Sequence, residues 1–595
     1  MKRTCNCGDL RKDDAGKTVI LNGWVSRKRD HGGIFFINLR DRYGITQITI
    51  GDTELAGICS QLRNEFCIAV EGIVKARPDD MINPAMATGE IEVAASKIKI
   101  LGRCEELPLQ VASAEGEETN AGEELRLKYR YLDLRSRAML KRLSLRSNVT
   151  YAVREWMTAN GFLEIETPTF IRSTPEGARD YLVPSRLYPG KFYALPQSPQ
   201  LYKQLLMVSG FDKYFQIARC YRDEDSRGDR QPEFTQIDIE MSFADRDDIL
   251  AMNEGLLNHV FKKTLQIDLP SQFKRLTYEE AMELYGTDKP DLRFEMPLQD
   301  FSPYAEAGGF QAFKDALSNK EGAVKALLVK GKADYSRKQI EELEAHAKIY
   351  KARGLAWMKV TGESVLEGGV SKFFAENSGA IIKGLGAEAG DLILIAADPS
   401  RKIANTALGA VRTKLGKDLN LLDPARFEFV WIVDFPMFEF NAEENRWEAA
   451  HHLFSFPQEK YHSVLESDPG SVKGDLYDLV LNGYELASGS IRIHDPVLQQ
   501  RIFSIAGIDS EEAQKKFGFL TNAFKYGAPP HGGIAHGLDR LVMIMAGQSS
   551  IKEVIAFPKN SFAESLMDES PGEIDQKQLD ELHLTVQKKP DAGIS

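Results

Sequence analysis

Arg222, Glu224, Phe234, Asp238 and Glu240 fall within one stretch, FQIARCYRDEDSRGDRQPEFTQIDIEMSF (215–243), that joins two alternating segments through a short charged link. In the second segment Thr235, Ile237, Ile239, Met241 and Phe243 point one way, and Phe234, Gln236, Asp238, Glu240 and Ser242 the other. In the first, Phe215, Ile217 and Tyr221 share a face opposite Gln216, Cys220, Arg222 and Glu224. Such alternation predicts an antiparallel strand pair with an apolar face on a core and a face of functional groups. Cross-strand ion pairs on a solvated face would use the same charges. Phe234, a lone ring among them, instead suits a flat ligand that stacks.

Other stretches carry compatible chemistry. Glu176, Gln200 and Lys203 lie in loop-like or loop-adjacent segments and could hold a small zwitterion, since carboxylate and amide oxygens bind an ammonium and lysine binds a carboxylate. His451 and His452 sit beside aromatics, but a metal would want a third ligand at a fitting spacing and none is evident; substrate contact or a structural role is the preferred reading. Asp478 and Glu485 flank Asn482-Gly483, and a pair of carboxylates near a bound triphosphate would suit Mg²⁺. Beyond Gly489, Ser490, Arg492 and His494 face away from Ile491 and Ile493. In residues 529–547, Gly533 and Gly537 permit close backbone approach ahead of an amphipathic helix starting near Leu538, and Arg540 in its first turn could meet an anion. No GxxxxGK[ST] phosphate loop is present.

The elements that position these residues divide by texture. Five strand-like runs in the first hundred residues (18–25, 34–39, 45–50, 66–74 and 91–100) suit a small closed barrel of the oligonucleotide-binding kind. Arg27, Lys28, Arg29, Arg40 and Arg42 cluster in sequence around Phe35 and Phe36, the equipment for single-stranded nucleic acid. A polar, acidic linker (105–120) precedes a helix-favouring stretch ending at Gly161, followed by FLEIETPTF, read as a strand whose Pro168 marks an edge or a special junction. The turn-rich GTDKPDLR (286–293) opens a region to about 420 of alternating helices and strands without a dense polar constellation, read as an inserted α/β domain. A net charge of −12 argues against general coating of nucleic acid but not against a local basic face. Six scattered cysteines without CxxC spacing, no apolar run approaching a membrane span and no apolar leader make the cytoplasm the expected location.

Taken together, FLEIETPTF, YRDE with RQPEFTQIDIE, and GGIAHGLDR resemble motifs 1, 2 and 3 of the class II aminoacyl-tRNA synthetases, in that order. With TPEGARDYLVPSR, ALPQSPQLYKQ, GTDKPDLR and IAFPK added, the chain resembles the bacterial-type aspartyl-tRNA synthetases along essentially its whole length. The resemblance implies a multidomain α+β chain: an OB-fold anticodon-binding barrel (1–105), a hinge (106–140), an antiparallel-sheet catalytic domain in two parts (141–287 and 423–560), the inserted α/β domain (288–422) and a C-terminal extension (561–595).

It implies further that aspartate is activated with ATP and passed to the 3′ end of tRNA by a homodimer joined through motif 1, with Pro168 linking interface and active site. Arg222 would contact the α-phosphate; Phe234 and Arg540 would sandwich adenine; Asp223, Glu224, Gln231, Gly537, Leu538 and Asp539 would complete the nucleotide site, and Glu485 with Asp478 would hold Mg²⁺. Arg492 and Lys203 would grip the side-chain carboxylate of aspartate; Asp238, Glu176 and Gln200 would surround its ammonium, and His451 would close the pocket. Asparagine would be refused because a neutral amide leaves a buried pair of cations uncompensated. On the barrel, Arg27, Arg29, Phe36, Gln47, Asn83 and Glu92 would read the anticodon. His31 and Met81 stand where the strict bacterial form has Leu and Asn; His31 resembles the relaxed form and Met81 neither, which implies charging of tRNA(Asn) as well as tRNA(Asp). His536 departs from the bulky apolar or aromatic residue usual in motif 3.

Overall fold

The computed structural model describes residues 1–51, 53–111, 118–174 and 177–587. These form two compact units: Met1–Ser144 with Ile555–Asn560 and Glu564–Gly572, and the remainder from Leu145 onward.

In the first unit five strands close a barrel: β1 (Thr18–His31), β2 (Ile34–Arg40), β3 (Ile45–Ile50), β4 (Cys67–Ala76) and β5 (Ile91–Gly102), in the order β1-β2-β3-β5-β4. Alternate residues of each strand, among them Leu21, Val25, Ile37, Leu39, Ile48 and Val93, are fully buried and fill the interior. The helix-favouring stretch that follows the linker opens, within the expected hinge, with helices Glu123–Lys128 and Arg130–Asp133. Arg130, buried there, donates to the carbonyls of Ile555 and Ala556, so the first residues of IAFPK are held by main-chain contacts. Residues 564–572 likewise belong to this unit, inside the stretch expected as a terminal extension.

The second unit carries a large sheet. Its strands begin with β6 (Leu163–Glu164), the hairpin β7 (Leu182–Pro184) and β8 (Phe192–Ala194), then β9 (Lys213–Tyr221), β10 (Glu233–Ser242) and β11 (Lys274–Thr277). The insertion follows with β12 (Leu298–Asp300), β13 (Ala323–Val329), β14 (Ala356–Gly362), β15 (Val365–Glu367) and β16 (Leu392–Asp398). The chain returns through β17 (Phe429–Val433), the hairpin β18 (Phe438–Asn441) and β19 (Arg446–Ala449), β20 (Leu476–Leu481), β21 (Tyr484–Ile491) and β22 (His531–Gly537). Eight of these make one sheet, β11-β17-β20-β21-β22-β10-β9-β6, antiparallel except at its two edge pairs. Only Leu163 and Glu164 of FLEIETPTF join a ladder, so the expected strand is reduced to two residues; Pro168 lacks the N–H that a ladder would need.

The insertion mixes helices and strands as expected, and its strand pairs are all antiparallel. It is joined to the rest of its unit through the helix Arg401–Asp418. Gly409 lies against Gly286 (φ +67), and a Cβ on Gly409 would stand 2.4 Å from the Tyr285 carbonyl oxygen. Two bare backbones are needed for the helix Tyr278–Tyr285 and its neighbour to cross this closely.

Candidate functional site

The motif-2 strand pair forms as its alternation requires. β9 and β10 are antiparallel with Phe234 opposite Cys220 and Asp238 opposite Gln216. Thr235, Ile237 and Ile239 face the core; Phe234, Gln236 and Asp238 line a cleft of about 850 Å³. The helix Gln200–Val208, the turn after β9, most of β21 from Tyr484 on and the start of the helix Leu538–Met545 supply the other walls. Of the sequence-predicted residues, the cleft brings together Gln200, Lys203, Arg222, Glu224, Gln231, Phe234, Asp238, His451, Glu485, Arg492, Gly537, Asp539 and Arg540.

At the closed end lies a cluster of buried charge. Lys203 Nζ is 2.9 Å from Asp238 Oδ1 and 3.3 Å from Glu240 Oε2. Arg492 Nε donates to Glu240 Oε1 at 3.0 Å, and its Nη1 lies 2.9 Å from Ser490 Oγ and 2.6 Å from His452 Nε2. All four charged side chains are essentially inaccessible. Burial alone would raise the Glu240 carboxyl, but Arg492 and Lys203 hold it below its ordinary value. Burial pushes His452 well down, with Arg492 adding to the effect, which favours the neutral imidazole; the short contact to Arg492 Nη1 uses Nε2 as an acceptor. Two cations thus meet two carboxylates, and the expected uncompensated cation pair is corrected: Glu240 and Asp238 already neutralise Lys203 and Arg492. Asp238 Oδ2 and Gln200 Nε2 are buried without a hydrogen-bond partner, and both belong to residues that line the cleft.

Further out, the guanidinium of Arg222 stands over the ring of Phe234, 5.1 Å from its centroid, with Nε buried and unpartnered. Arg540 donates to the Glu485 carbonyl oxygen and to Asp229 Oδ2 at 3.0 Å. Arg222 thus covers one face of the Phe234 ring, while Arg540 is held by Glu485 on β21 and by Asp229. Asp539 accepts the Thr235 amide at 2.7 Å and pairs with Arg146, locking the helix start to β10. Asp223 does not line the cleft; it turns outward to Arg179 at 3.6 Å. Leu538 is buried behind the wall, where an apolar first-turn residue belongs.

Glu485 faces the cleft, with Lys289 Nζ 2.8 Å from its Oε2. Burial would raise its carboxyl, yet Lys289 and Arg540 hold it below the ordinary value. Asp478 opposes Ser488 on the neighbouring strand and accepts its hydroxyl. Burial and the charge of Glu485 push its carboxyl well upward, and the residue does not line the cleft. Asp478 thus stands behind Glu485 rather than in the cleft wall. Among the described residues no group of three or more His, Cys, Asp or Glu is placed to hold a metal. Glu485 fits Mg²⁺ in the way that ion is commonly bound, by one or two carboxylates with phosphate oxygens and water supplying the rest. Glu176 lies outside the described residues.

On the barrel, Arg29 pairs directly with Phe36, and Arg27 with Asn38, which in turn pairs with Gln47. Gln47 Nε2 donates to Glu92 Oε2 at 3.2 Å. These residues form one outward face, with His31 edge-on to Phe36 at 5.8 Å. Asn83 and the exposed Met81 sit in the loop between β4 and β5. The wider basic cluster does not assemble: Arg40 is buried against Glu65 at 2.9 Å, Lys28 donates to the carbonyls of Cys59 and Leu62, and Phe35 packs on the core.

Sequence reasoning placed Glu240 on the face of Asp238, His452 beside His451 and Ser490 on the face of Arg492 without joining them into one cluster, and it passed over Lys289. Strand periodicity gives the face of Glu240 and of Ser490, but not that the two meet across the sheet at Arg492. Lys289 reaches Glu485 only through the fold.

Comparison with known proteins agrees with this geometry. The family described as tRNA synthetases class II (D, K and N) matches residues 122–561, and the OB-fold nucleic acid binding domain matches residues 19–101. A protein of Treponema denticola named aspartate–tRNA(Asp/Asn) ligase is 69% identical over 593 residues, covering 99% of this chain and all of its own. The protein of the same name in Treponema pallidum strain Nichols is 57% identical over 589 residues (98% of this chain, 97% of the relative). The aspartate–tRNA ligase of Bacillus licheniformis is 50% identical over 592 residues, 99% of each chain. In fold, the chain is similar to crystal structures of asparaginyl-tRNA synthetase from Pyrococcus horikoshii with asparaginyl-adenylate (TM-score 0.58, 19% identity, 94% of this chain and 98% of the other) and of a putative aspartyl-tRNA synthetase from Leishmania major (TM-score 0.58, 20% identity, 94% of each). With a family match across most of its length and relatives this similar end to end, the chain belongs to the class II tRNA synthetases of the D, K and N group, among the aspartate–tRNA ligases.

Proposed function

We propose that the protein joins L-aspartate to tRNA in two steps, using ATP, in the cytoplasm. An α-carboxylate oxygen of aspartate bonds to the α-phosphorus of ATP as the bond to pyrophosphate breaks. A hydroxyl of the 3′-terminal ribose then takes the aspartyl group and AMP leaves. The observation that carries this reading is the buried quartet of Lys203, Asp238, Glu240 and Arg492 at the closed end of the cleft. An amino acid with an anionic side chain would find two cations for the carboxylate, with Asp238 Oδ2 and Gln200 near its α-substituents. Asparagine would turn an amide N–H toward Lys203 and Arg492, which carry only donors, so a donor would meet donors.

Arg222 supplies a fixed positive charge for the α-phosphate, where charge builds in the transition state; little proton transfer is needed, and positioning with electrostatic stabilisation does the work. Glu485, with Asp478 behind it, would hold Mg²⁺, whose charge would offset that of the phosphates. Glu224, Gln231, Gly537 and Arg540 border the space left for the nucleotide, and His451, edge-on to Phe435 at 4.8 Å, stands at the cleft wall.

The barrel face of Arg27, Arg29, Phe36, Gln47 and Glu92 is suited to unstacked anticodon bases: the ring stacks, the cations follow phosphates, and the amide and carboxylate read base edges. His31 beside Phe36 supports a reader that accepts both aspartate and asparagine tRNAs, as do the Asp/Asn names of two relatives. Exposed Leu163, Phe170, Leu182, Leu187, Tyr188 and Phe192 around motif 1 support a homodimer. No described helix is long and apolar enough to cross a membrane.

The deciding experiment is charging of purified aspartate and asparagine tRNA transcripts with radiolabelled aspartate, beside aspartate-dependent ATP–pyrophosphate exchange. Charging of both supports the full reading. Charging of the aspartate tRNA alone would remove only the relaxed specificity. Absence of exchange in folded protein would defeat the activity itself.

A further inference from the structure

Lys289 is the one charged residue in the cleft that comes from the loop between the helix Tyr278–Tyr285 and β12, and the mechanism above gives it no part. Its Nζ is 2.8 Å from Glu485 Oε2, and both side chains keep about a third of their surface open. The two backbones are fixed. Arg412, fully buried, donates to the carbonyls of Asp291, Phe294, Glu295 and Met296 just beyond Lys289. The turn Asn482-Gly483 packs on the same loop, since a Cβ on Gly483 (φ +83) would stand 3.3 Å from the Asp291 Cβ. Arg540 holds the carbonyl of Glu485 itself. What stays adjustable is the four-carbon stem of the lysine, whose compact ammonium can exchange one anionic partner for another.

We propose that Lys289 is the resident counter-cation of Glu485: it closes the metal position to a free divalent ion and yields the carboxylate only to a metal that arrives with polyphosphate. The inference rests on the nucleotide-and-metal reading of the cleft. A dication at Glu485 Oε2 would repel an ammonium already within hydrogen-bond distance, and the low-dielectric walls would sharpen that repulsion. Phosphate oxygens remove the conflict, because they give Nζ the anionic partner it has lost.

Mn²⁺ binding to the full-length protein, followed by the electron paramagnetic resonance of the free ion, tests this with metal alone and with metal plus ATP. Wild type should bind Mn²⁺ weakly alone and much more tightly with ATP. Lys289→Met should bind Mn²⁺ alone at least about tenfold tighter than wild type, Lys289→Arg should behave as wild type, and Lys289→Met with Glu485→Gln should lose the gain. If Lys289→Met gains nothing, or the double variant keeps the gain, the proposal is overturned while the nucleotide site stands. If wild type fails to bind ATP with Mn²⁺ at all, the reading of the cleft falls and the proposal with it.

Discussion

Arg492 Nη1 lies 2.6 Å from His452 Nε2, a contact that works only if the imidazole is neutral and accepting. Burial and the adjacent guanidinium keep it so. The acceptor is paired with Ser490 Oγ on the same Nη1, which aims the rest of Arg492 at Glu240 and the pocket. His452→Ala should therefore raise the KM for aspartate in pyrophosphate exchange by about tenfold, the worth of one hydrogen bond to a charged group, while the KM for ATP stays near wild type. His452→Gln, which restores an acceptor, should recover most of the loss. Equal effects on both substrates would point to general collapse of the cleft.

Glu240 forms an ion pair with both Lys203 and Arg492. Glu240→Gln leaves two buried cations facing Asp238 alone, and breaking such a pair costs about 3 kcal/mol. The ligand-free variant should unfold at lower temperature than wild type. Aspartate brings a carboxylate to the same cations, so saturating aspartate should raise its Tm more than it raises that of wild type. A ligand-induced shift smaller than in wild type would show that Glu240 serves mainly to aim Arg492.

How far this site was legible depended on sequence distance. The β9–β10 alternation displayed Phe234, Gln236 and Asp238 on one face because strand periodicity is local, and the Asn482-Gly483 turn between Asp478 and Glu485 was legible for the same reason. That Asp478 stands behind Glu485 was not legible, because its carboxyl faces Ser488 inside the sheet and a period-two pattern does not tell which face of a central strand is solvated when both are covered. The basic cluster of the barrel was overcounted likewise: Arg40 answers Glu65, 25 positions away. Lys289 meets Glu485 across nearly two hundred residues and an inserted domain, a pairing no local pattern carries. The roles of most site residues came from three resembling motifs, not from periodicity.

Arg412 shows how the insertion is fastened. Its guanidinium lies 4.0 Å from the centroid of Phe294 and 4.8 Å from that of Tyr285, and it donates to four backbone carbonyls. Arg412→Ala removes the donors and leaves those carbonyls buried, which should cost about 3 kcal/mol. Limited proteolysis should then cut near residues 286–297 faster than in wild type. Arg412→Lys should rescue little, because one ammonium cannot span the fan of acceptors between two rings. Wild-type protease resistance in Arg412→Ala would mean that the bare crossing of Gly286 and Gly409 suffices to hold the joint.

His536, the unusual residue of motif 3, is fully buried on β22. Asn253 donates its amide to the Ile249 carbonyl at 2.7 Å, so its Oδ1 is free to accept from His536 Nε2, and His536 Nδ1 is left without a partner. Burial pushes the imidazole down to about 3 from an ordinary 6.5. The unfolded chain therefore takes up a proton below about pH 6.5 that the folded chain refuses until about pH 3. The stabilising contribution is complete above pH 6.5 and is lost as pH falls through this window, at roughly 1.4 kcal/mol per pH unit. Urea unfolding of His536→Leu at pH 6, 5 and 4 should show a shallower decline than wild type by that amount, even where the variant is less stable at pH 7 for want of a partner to Asn253. Parallel declines in the two proteins would mean that the buried imidazole takes up its proton without unfolding.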